Sequence, residues 1–167
     1  MKNLILLMLV PFFMEGQKDS IYIVKKTDEM SDKVYYFASR KLVISDSAKT
    51  KGFTLSPTFD KNLFIDGLIV KIIKIGSCNE KDELIIMFDD STKIKLISYA
   101  GFNCNGDAYY SFSKKDIDKI RSNKIIKARI TNGRSYESFT GIIPDFNNDY
   151  FQQVIYACDA KKIKIKK

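Results

Sequence analysis

The chain has 167 residues, the size of a single domain, and 45% of them are hydrophobic, an ordinary share for a globular protein. It carries 28 basic and 20 acidic residues, a formal net charge of +8, three cysteines and no histidine. The lack of histidine excludes a Ser-His-Asp triad, a Cys-His nucleophile and any histidine-containing zinc site. The cysteines lie far apart, which excludes a Cys-x-x-Cys redox pair and a four-cysteine metal centre.

The start of the chain predicts a secretory signal peptide over residues 1–16. Lys2 precedes an apolar run over residues 4–14, and Gly16 is a small residue after which a signal peptidase can cut, leaving Gln17 first. The run is shorter than the roughly 20 residues that span a bilayer, so we expect no transmembrane segment in the mature chain. The alternative is that this run forms a buried strand or helix of the fold.

Short strands separated by turn residues dominate the rest of the chain. Residues 67–75 are almost all β-branched or leucine, which predicts a central strand covered on both faces. Pro57 is expected to end the strand that begins at Gly52. The predicted strands are 20–25, 33–38, 41–45, 52–56, 67–75, 83–88, 93–99, 108–112, 124–131 and 134–140.

Two hairpins are predicted from their turns. Residues 89–92 are polar and connect strands 83–88 and 93–99. Asn132-Gly133 is a strong two-residue hairpin signal, because both residue types tolerate positive φ.

Two short helices are expected. Ser113 followed by Asp116 is a capping pattern that predicts a helix over residues 114–121. Asn147 or Asn148 is expected to cap a final helix, whose apolar residues recur at helical spacing. Those residues are Tyr150, Phe151, Val154, Ile155 and Cys158.

The register of the first hairpin bears on the cysteines. Pairing across Asp90-Ser91 places Cys78 opposite Asn103, and a single bulge would align Cys78 with Cys104. A Cys78–Cys104 disulfide is therefore the leading prediction, and a pairing of Cys104 with Cys158 is the alternative. Under the first pairing, Cys158 is expected to be a buried thiol.

The order of elements predicts a mainly β, sandwich-like antiparallel domain with two short helices, and an α+β arrangement is the alternative. We expect one domain over residues 17–159 and a basic tail over 160–167. Five lysines in this tail predict a solvated end. The alternative is an edge strand, because lysine alternates with Ile163 and Ile165, and both isoleucines would then be buried.

Three further patterns are interpreted as structural. Neighbouring carboxylates on a turn cannot face each other across a cleft as a glycoside hydrolase requires, so we expect a solvated turn. The loop 103–107 starts like a calcium loop but lacks its distal glutamate, so we expect a tight turn with Gly106 at positive φ. Strand aromatics are expected to pack in the core, although outward tyrosines would form a contact surface for a protein or glycan. The carboxylates are Glu80, Asp82, Glu83, Asp89 and Asp90, and the aromatics are Tyr35, Tyr36, Tyr109, Tyr110, Phe112, Tyr136 and Phe139.

One set of residues in the C-terminal third to half of the chain carries a family resemblance. It comprises Asn103-Cys104-x-Gly106-Asp107, Tyr110-Ser111-Phe112-Ser113-x-x-Asp116-Ile117, Ile126-x-x-Arg129-Ile130, Asp149-Tyr150-Phe151 and Cys158. In these residues the chain resembles a group of small exported domains of unknown function from Gram-negative bacteria. The resemblance implies export and a compact β-rich fold, and it implies no activity.

We therefore expect an exported, periplasmic or extracellular, non-enzymatic interaction or ligand-binding module of the cell envelope, with a protein or glycan as its partner. The sequence predicts no catalytic, cofactor-binding or metal-binding residues and no cofactor. The alternative is a small carboxylate-dependent hydrolase or an inhibitor of one. Nucleic acid is not expected, because the chain has few arginines and its excess charge lies mostly in the tail. The arginines are Arg40, Arg121, Arg129 and Arg134.

Overall fold

The computed structural model describes residues 21–27, 29–30, 32–99, 101–159 and 164–166. The predicted signal peptide, residues 1–16, lies outside the described residues. Within them the chain forms eleven strands and two α-helices. They are β1 (Tyr22–Thr27), β2 (Val34–Ala38), β3 (Leu42–Ser45), β4 (Gly52–Phe59), β5 (Ile65–Ile73), β6 (Glu83–Phe88), β7 (Lys93–Ile97), β8 (Asp107–Ser111), α1 (Lys114–Ser122), β9 (Ile125–Thr131), β10 (Ser138–Ile142), α2 (Tyr150–Asp159) and β11 (Lys164–Lys166). No helix in these ranges has the length and hydropathy to cross a bilayer.

The strands form two sheets, which confirms the prediction of a mainly β protein. The seven-stranded sheet has the order β11-β1-β2-β4-β5-β8, with β3 paired to β4, and the four-stranded sheet has the order β10-β9-β6-β7. Every pair is antiparallel except the parallel pair of β1 with β11. Buried side chains of both sheets belong to one hydrophobic cluster, so the sheets face each other across a shared core as in a sandwich.

Alternation of buried and exposed residues explains how each sheet faces the core. In β6 the inward residues Leu84, Ile86 and Phe88 are buried, whereas the intervening residues are partly exposed. The two sheets approach closely at Gly141 of β10, where a Cβ atom would lie 2.0 Å from Cγ2 of Ile44. Glycine at this position therefore lets β10 pack against β3.

The strand predicted over residues 67–75 is central in its sheet but is not covered on both faces. It is β5, and it lies between β4 and β8. Its inward residues Leu68, Val70 and Ile72 are buried, whereas Lys71 and Ile73 are exposed. The high content of β-branched residues therefore marked a central position in the sheet, while the outer face stays open.

Pro57 does not end its strand, contrary to expectation. β4 continues to Phe59, and Pro57 pairs with Leu68 of β5. On the other side of β4, the pairing with β3 reaches Leu55 and the pairing with β2 resumes at Thr58. Pro57 lies in the gap between these two partners, so neither strand is paired with it on that side.

Both helices are present. Ser113 and Asp116 form the predicted reciprocal capping box at the start of α1. α2 buries one face in the core, and the Tyr150 hydroxyl donates a hydrogen bond to the Arg40 carbonyl. Asn147 and Asn148, expected to cap the last helix, lie instead in and just after a single 3₁₀ turn that precedes α2.

The Asn132-Gly133 turn differs from the prediction. β9 and β10 pair as far as Thr131 with Ser138, which leaves the longer loop 132–137 instead of a two-residue turn. Tyr136, not Gly133, takes the left-handed conformation, with φ of 58°. The partner strand consequently begins at Ser138, later than predicted.

Part of the predicted basic tail forms a strand. Lys164–Lys166 pairs in parallel with β1 at the edge of the seven-stranded sheet. The prediction of a solvated end is therefore wrong for these residues, which form the edge strand of the alternative prediction. Ile165 is nevertheless 48% exposed, so it is not buried as that alternative supposed.

Candidate functional site

The predicted disulfide is present between Cys78 and Cys104. The register behind it needed correction, because β6 and β7 pair Met87 with Lys93, one residue away from the expected register. Beyond the sheet, Asn79 pairs with Asn103, so the segment after β7 contains extra residues that bring the two cysteines opposite each other. Cys158 is the free cysteine, and the structure does not contain the alternative Cys104–Cys158 bond.

Asp89 and Asp90 brace the turn after β6. Asp90 forms an ion pair of 2.6 Å with Lys119, and Asp89 accepts a hydrogen bond from the Lys124 N–H. The hydrogen bond from Lys119, followed by that from Thr92, lowers the pKa of Asp90 to about 2. Both side chains are therefore engaged in holding the turn against α1 and the start of β9.

Asp82 and Glu83, two of the other carboxylates noted in the sequence, lie in different environments. Asp82 is buried and accepts hydrogen bonds from the Gly133 N–H and the Asn79 amide. Glu83 lies on the outer face of the four-stranded sheet, where its carboxylate contacts Lys95 and Arg129. Among the described residues, no group of three or more cysteine or acidic side chains is arranged to hold a metal ion.

The loop 103–107 is the tight turn expected from its composition. Gly106 has φ of +82°, and Asn105 accepts a hydrogen bond from the Asp107 N–H. The Asn103 amide donates to the Asp107 carbonyl. These hydrogen bonds are made within the loop itself, whereas the Asn103 side-chain oxygen is buried and has no partner among the described residues.

A groove of about 900 Å³ lies on the outer face of the seven-stranded sheet. We call it the aromatic groove. Side chains of β1, β2, β4, β5 and β8, together with neighbouring loops, line it. They are Lys26, Thr27, Glu29, Met30, Tyr35, Phe37, Lys41, Thr54, Ser56, Ile69, Lys71, Tyr99, Asp107 and Tyr109.

Strand register explains why these residues share one face. Ile69 of β5 lies opposite both Ser56 of β4 and Tyr109 of β8. Residues directly opposed in a sheet point to the same face, so the three form a row across the centre of the groove. The pairing of β4 with β3 ends at Leu55 and its pairing with β2 begins at Thr58, so Ser56 has no strand partner on that side.

Ser56 is the most unusual group in the groove. It is only 4% exposed, and in the described part of the chain its buried hydroxyl has no hydrogen-bond partner. Buried hydroxyl groups in proteins are nearly always hydrogen bonded, because an unmade bond costs about 1–3 kcal/mol. Ser56 lines the groove, so its hydroxyl is a hydrogen-bonding group of the groove that no other described residue uses.

Aromatic rings line the same groove. The rings of Tyr99 and Tyr109 lie 6.3 Å apart and are tilted by 51°, and Tyr99 is 68% exposed. Burial, with a further contribution from Asp66, raises the pKa of Tyr99, and burial followed by Asp107 raises that of Tyr109. Both phenols therefore stay neutral at physiological pH and keep their hydroxyl donors.

Charged side chains form the rim of the groove. Lys26, Lys41 and Lys71 contribute three cations, and Glu29 and Asp107 contribute two carboxylates. Lys71 lies directly opposite Asp107 across β5 and β8. The rim thus offers charged hydrogen-bond donors and acceptors around a floor of apolar and hydroxyl groups.

The sequence located this site only in part. Tyr35 and Tyr109 face outward into the groove, as the contact-surface alternative supposed, whereas Tyr110 is buried in the core. Phe37, Tyr99 and Ser56 were missed. The period-two alternation of β2 places Phe37 on the same face as Tyr35, so this residue could have been predicted from the sequence. Ser56 could not, because its position depends on where β2 and β3 pair with β4.

A smaller apolar cleft of about 330 Å³ lies where α1 meets α2. Cys158 lines it, and the ion pair of Arg121 with Asp159 joins the two helices there at 2.6 Å. Burial, with a further contribution from Asp159, raises the pKa of the Cys158 thiol to about 11. The thiol is therefore kept in its unreactive protonated form.

Comparison of the chain with models of protein families, with curated proteins and with solved structures finds no match.

Proposed function

We propose that this protein is an exported, non-enzymatic binding module that takes a glycan in the aromatic groove. The observation that carries the proposal is the buried, unpartnered hydroxyl of Ser56 on the floor of a groove lined by tyrosine rings. A groove of this size with convergent hydroxyl and charged groups is typical of a ligand site.

The position of the groove favours a glycan over an extended peptide. Peptides commonly bind by adding a strand to an open sheet edge. The floor of the groove is formed by β4 and β5, which lie inside the sheet and are paired along their length with each other. Recognition there must use side chains, and a sugar ring suits them because it presents an apolar face to aromatic rings and hydroxyls to polar groups.

The export part of the proposal is supported by the N-terminal sequence and by the disulfide. Lys2, the apolar run over residues 4–14 and Gly16 have the layout of a signal peptide. Disulfides such as Cys78–Cys104 persist mainly in oxidising compartments. The resemblance to small exported domains of Gram-negative bacteria also favours the envelope.

Intrinsic tyrosine fluorescence tests binding directly, because the chain has nine tyrosines and no tryptophan. We would titrate the protein with tetrasaccharides of N-acetylglucosamine, of uronic acids and of neutral hexoses, and with acidic and basic hexapeptides. The proposal predicts saturable binding of at least one saccharide, weakened at least fivefold by Tyr35→Ala. The control Tyr136→Ala changes an exposed tyrosine that does not line the groove and should leave binding unchanged.

Binding of a hexapeptide alone, or equal loss of binding in both variants, would contradict the glycan site. The export claim is tested separately by intact mass of the protein from its own host, where loss of the leader is expected and full-length cytoplasmic protein would contradict it.

A further inference from the structure

The outer face of the four-stranded sheet carries a compact group of cations, which we call the basic face. It consists of Lys93, Lys95, Lys127 and Arg129, which point outward from β7 and β9. Register places Lys93 and Lys127 on either side of Met87, and Lys95 and Arg129 on either side of Ile85. Given strand spacings of about 4.8 Å and a repeat of about 7 Å along a strand, the four positions are separated by roughly 7–12 Å.

The cations are only partly neutralised. Glu83 contacts Lys95 at 2.6 Å and Arg129 at 3.8 Å. In the part of the chain that the structure describes, Lys93 and Lys127 take part in no ion pair. Because the separations are comparable to the Debye length of about 10 Å at moderate salt, these charges act on a partner as one positive field.

The side chains between and beside the cations are aliphatic. Ile85 and Met87 lie between them, while Ile97 and Ile142 stand at the margins of the same face, and Ile142 is 73% exposed. None of these residues is aromatic, so the face offers no platform on which nucleic-acid bases could stack. It is also one face of a four-stranded sheet, without a helix or two-stranded ribbon to enter a DNA groove.

We infer that the basic face is a docking surface for an anionic phospholipid bilayer. Clustered lysines and arginines bind such surfaces through the negative potential of the headgroups, each cation adding about fivefold to the partition coefficient. The long lysine and arginine stems and the exposed isoleucines rest against the boundary between headgroups and acyl chains.

The two outer faces of a sandwich point in opposite directions. Docking through the basic face therefore leaves the aromatic groove, on the outer face of the other sheet, directed away from the bilayer. A membrane-bound molecule would keep the groove open. The docking inference does not depend on the groove, since it rests on different residues and a different sheet.

Sedimentation with lipid vesicles tests the inference. The full chain should partition onto vesicles of phosphatidylcholine containing phosphatidylglycerol, should not bind phosphatidylcholine alone, and should be released by salt. The double variant Lys93→Glu with Lys127→Glu should lower the partition coefficient about 25-fold or more, because two cations are lost. The matched control, Lys61→Glu with Lys115→Glu, makes the same change in net charge at exposed lysines of a loop and of α1 and should retain most of the binding.

The C-terminal lysines need their own control, Lys161→Glu with Lys162→Glu, which should also retain most of the binding. The inference is wrong if the wild-type chain does not bind anionic vesicles, or if the control variants lose as much binding as the variant of the basic face. It is also wrong if a short DNA duplex binds through Lys93 and Lys127 while the vesicles do not.

Discussion

The buried carboxylate of Asp82 accepts a hydrogen bond of 2.8 Å from the backbone N–H of Gly133, a residue 51 positions further along the chain. Asp82 is fully buried and also accepts hydrogen bonds from the Asn79 amide and the Glu80 N–H. One carboxylate thus holds the connection before β6 to the loop between β9 and β10, beside the disulfide.

Replacing this carboxylate should destabilise the protein. Asp82→Asn removes one acceptor oxygen and directs an amide N–H towards existing donors, so we expect a loss of about 2–3 kcal/mol in the free energy of unfolding. Urea unfolding measures it. The control Asp118→Asn, at an exposed position on α1, should change stability by less than about 0.5 kcal/mol. Equal stability of the two variants would contradict the role given to Asp82.

Ser56→Ala should affect stability and binding in opposite directions. It removes a buried hydroxyl that has no partner within the described residues, so the free protein should be stabilised by about 1 kcal/mol. It also removes the hydrogen bond that a ligand would make, so glycan affinity should fall about two- to tenfold. Thermal unfolding and fluorescence titration give the two values.

Ser138→Ala is the matched control for this prediction, because Ser138 is exposed on the other sheet. A Ser56→Ala variant that is less stable than wild type would mean that the hydroxyl already has a partner in the free protein.

Removal of the disulfide should lower stability. Its cysteines are 26 residues apart, and the chain-entropy model gives about 3 kcal/mol for a loop of this length. We expect Cys78→Ala with Cys104→Ala to unfold at a correspondingly lower urea concentration. Reduction of the wild type should lower the urea concentration of unfolding by a similar amount. In the control Cys158→Ser, which keeps the disulfide, reductant should lower it by the same amount as in the wild type.

Cys158 should react slowly with alkylating reagents. Its pKa rises from 9.0 to about 11, chiefly through burial, so at pH 8 the thiolate fraction falls about 100-fold. Mass spectrometry of iodoacetamide labelling, with the disulfide intact, should show this difference between native protein and protein unfolded in urea. Similar rates in both conditions would show that the thiol is freely accessible.

Local signals in the sequence predicted local structure well. The Ser113 and Asp116 pair marked the start of α1 because both partners of a capping box lie within one helical turn. The Cys78–Cys104 pairing was predicted through hairpin connectivity, even though the assumed register was off by one residue. A turn with Ser91 at positive φ caused that difference, and its composition did not distinguish the two registers.

Tertiary contacts decided the features that the sequence did not reveal. Gly133 serves close packing instead of a two-residue turn, because a Cβ atom there would lie 2.0 Å from the Glu80 carbonyl oxygen. Asn132 is buried and uses its side chain to accept hydrogen bonds from Arg134 and Ser135. The aromatic groove depends on the non-local order of β2, β4, β5 and β8, which no single stretch of sequence specifies.

The most direct test of the proposed glycan site is an NMR titration of ¹⁵N-labelled protein with the tightest-binding saccharide of the panel. The account predicts saturable shifts in the amide signals of Ser56, Ile69 and Tyr109, which form the row across the groove, with Tyr136 unaffected. Saturable shifts confined to residues outside the groove, or no saturable shift with any saccharide, would contradict the proposal.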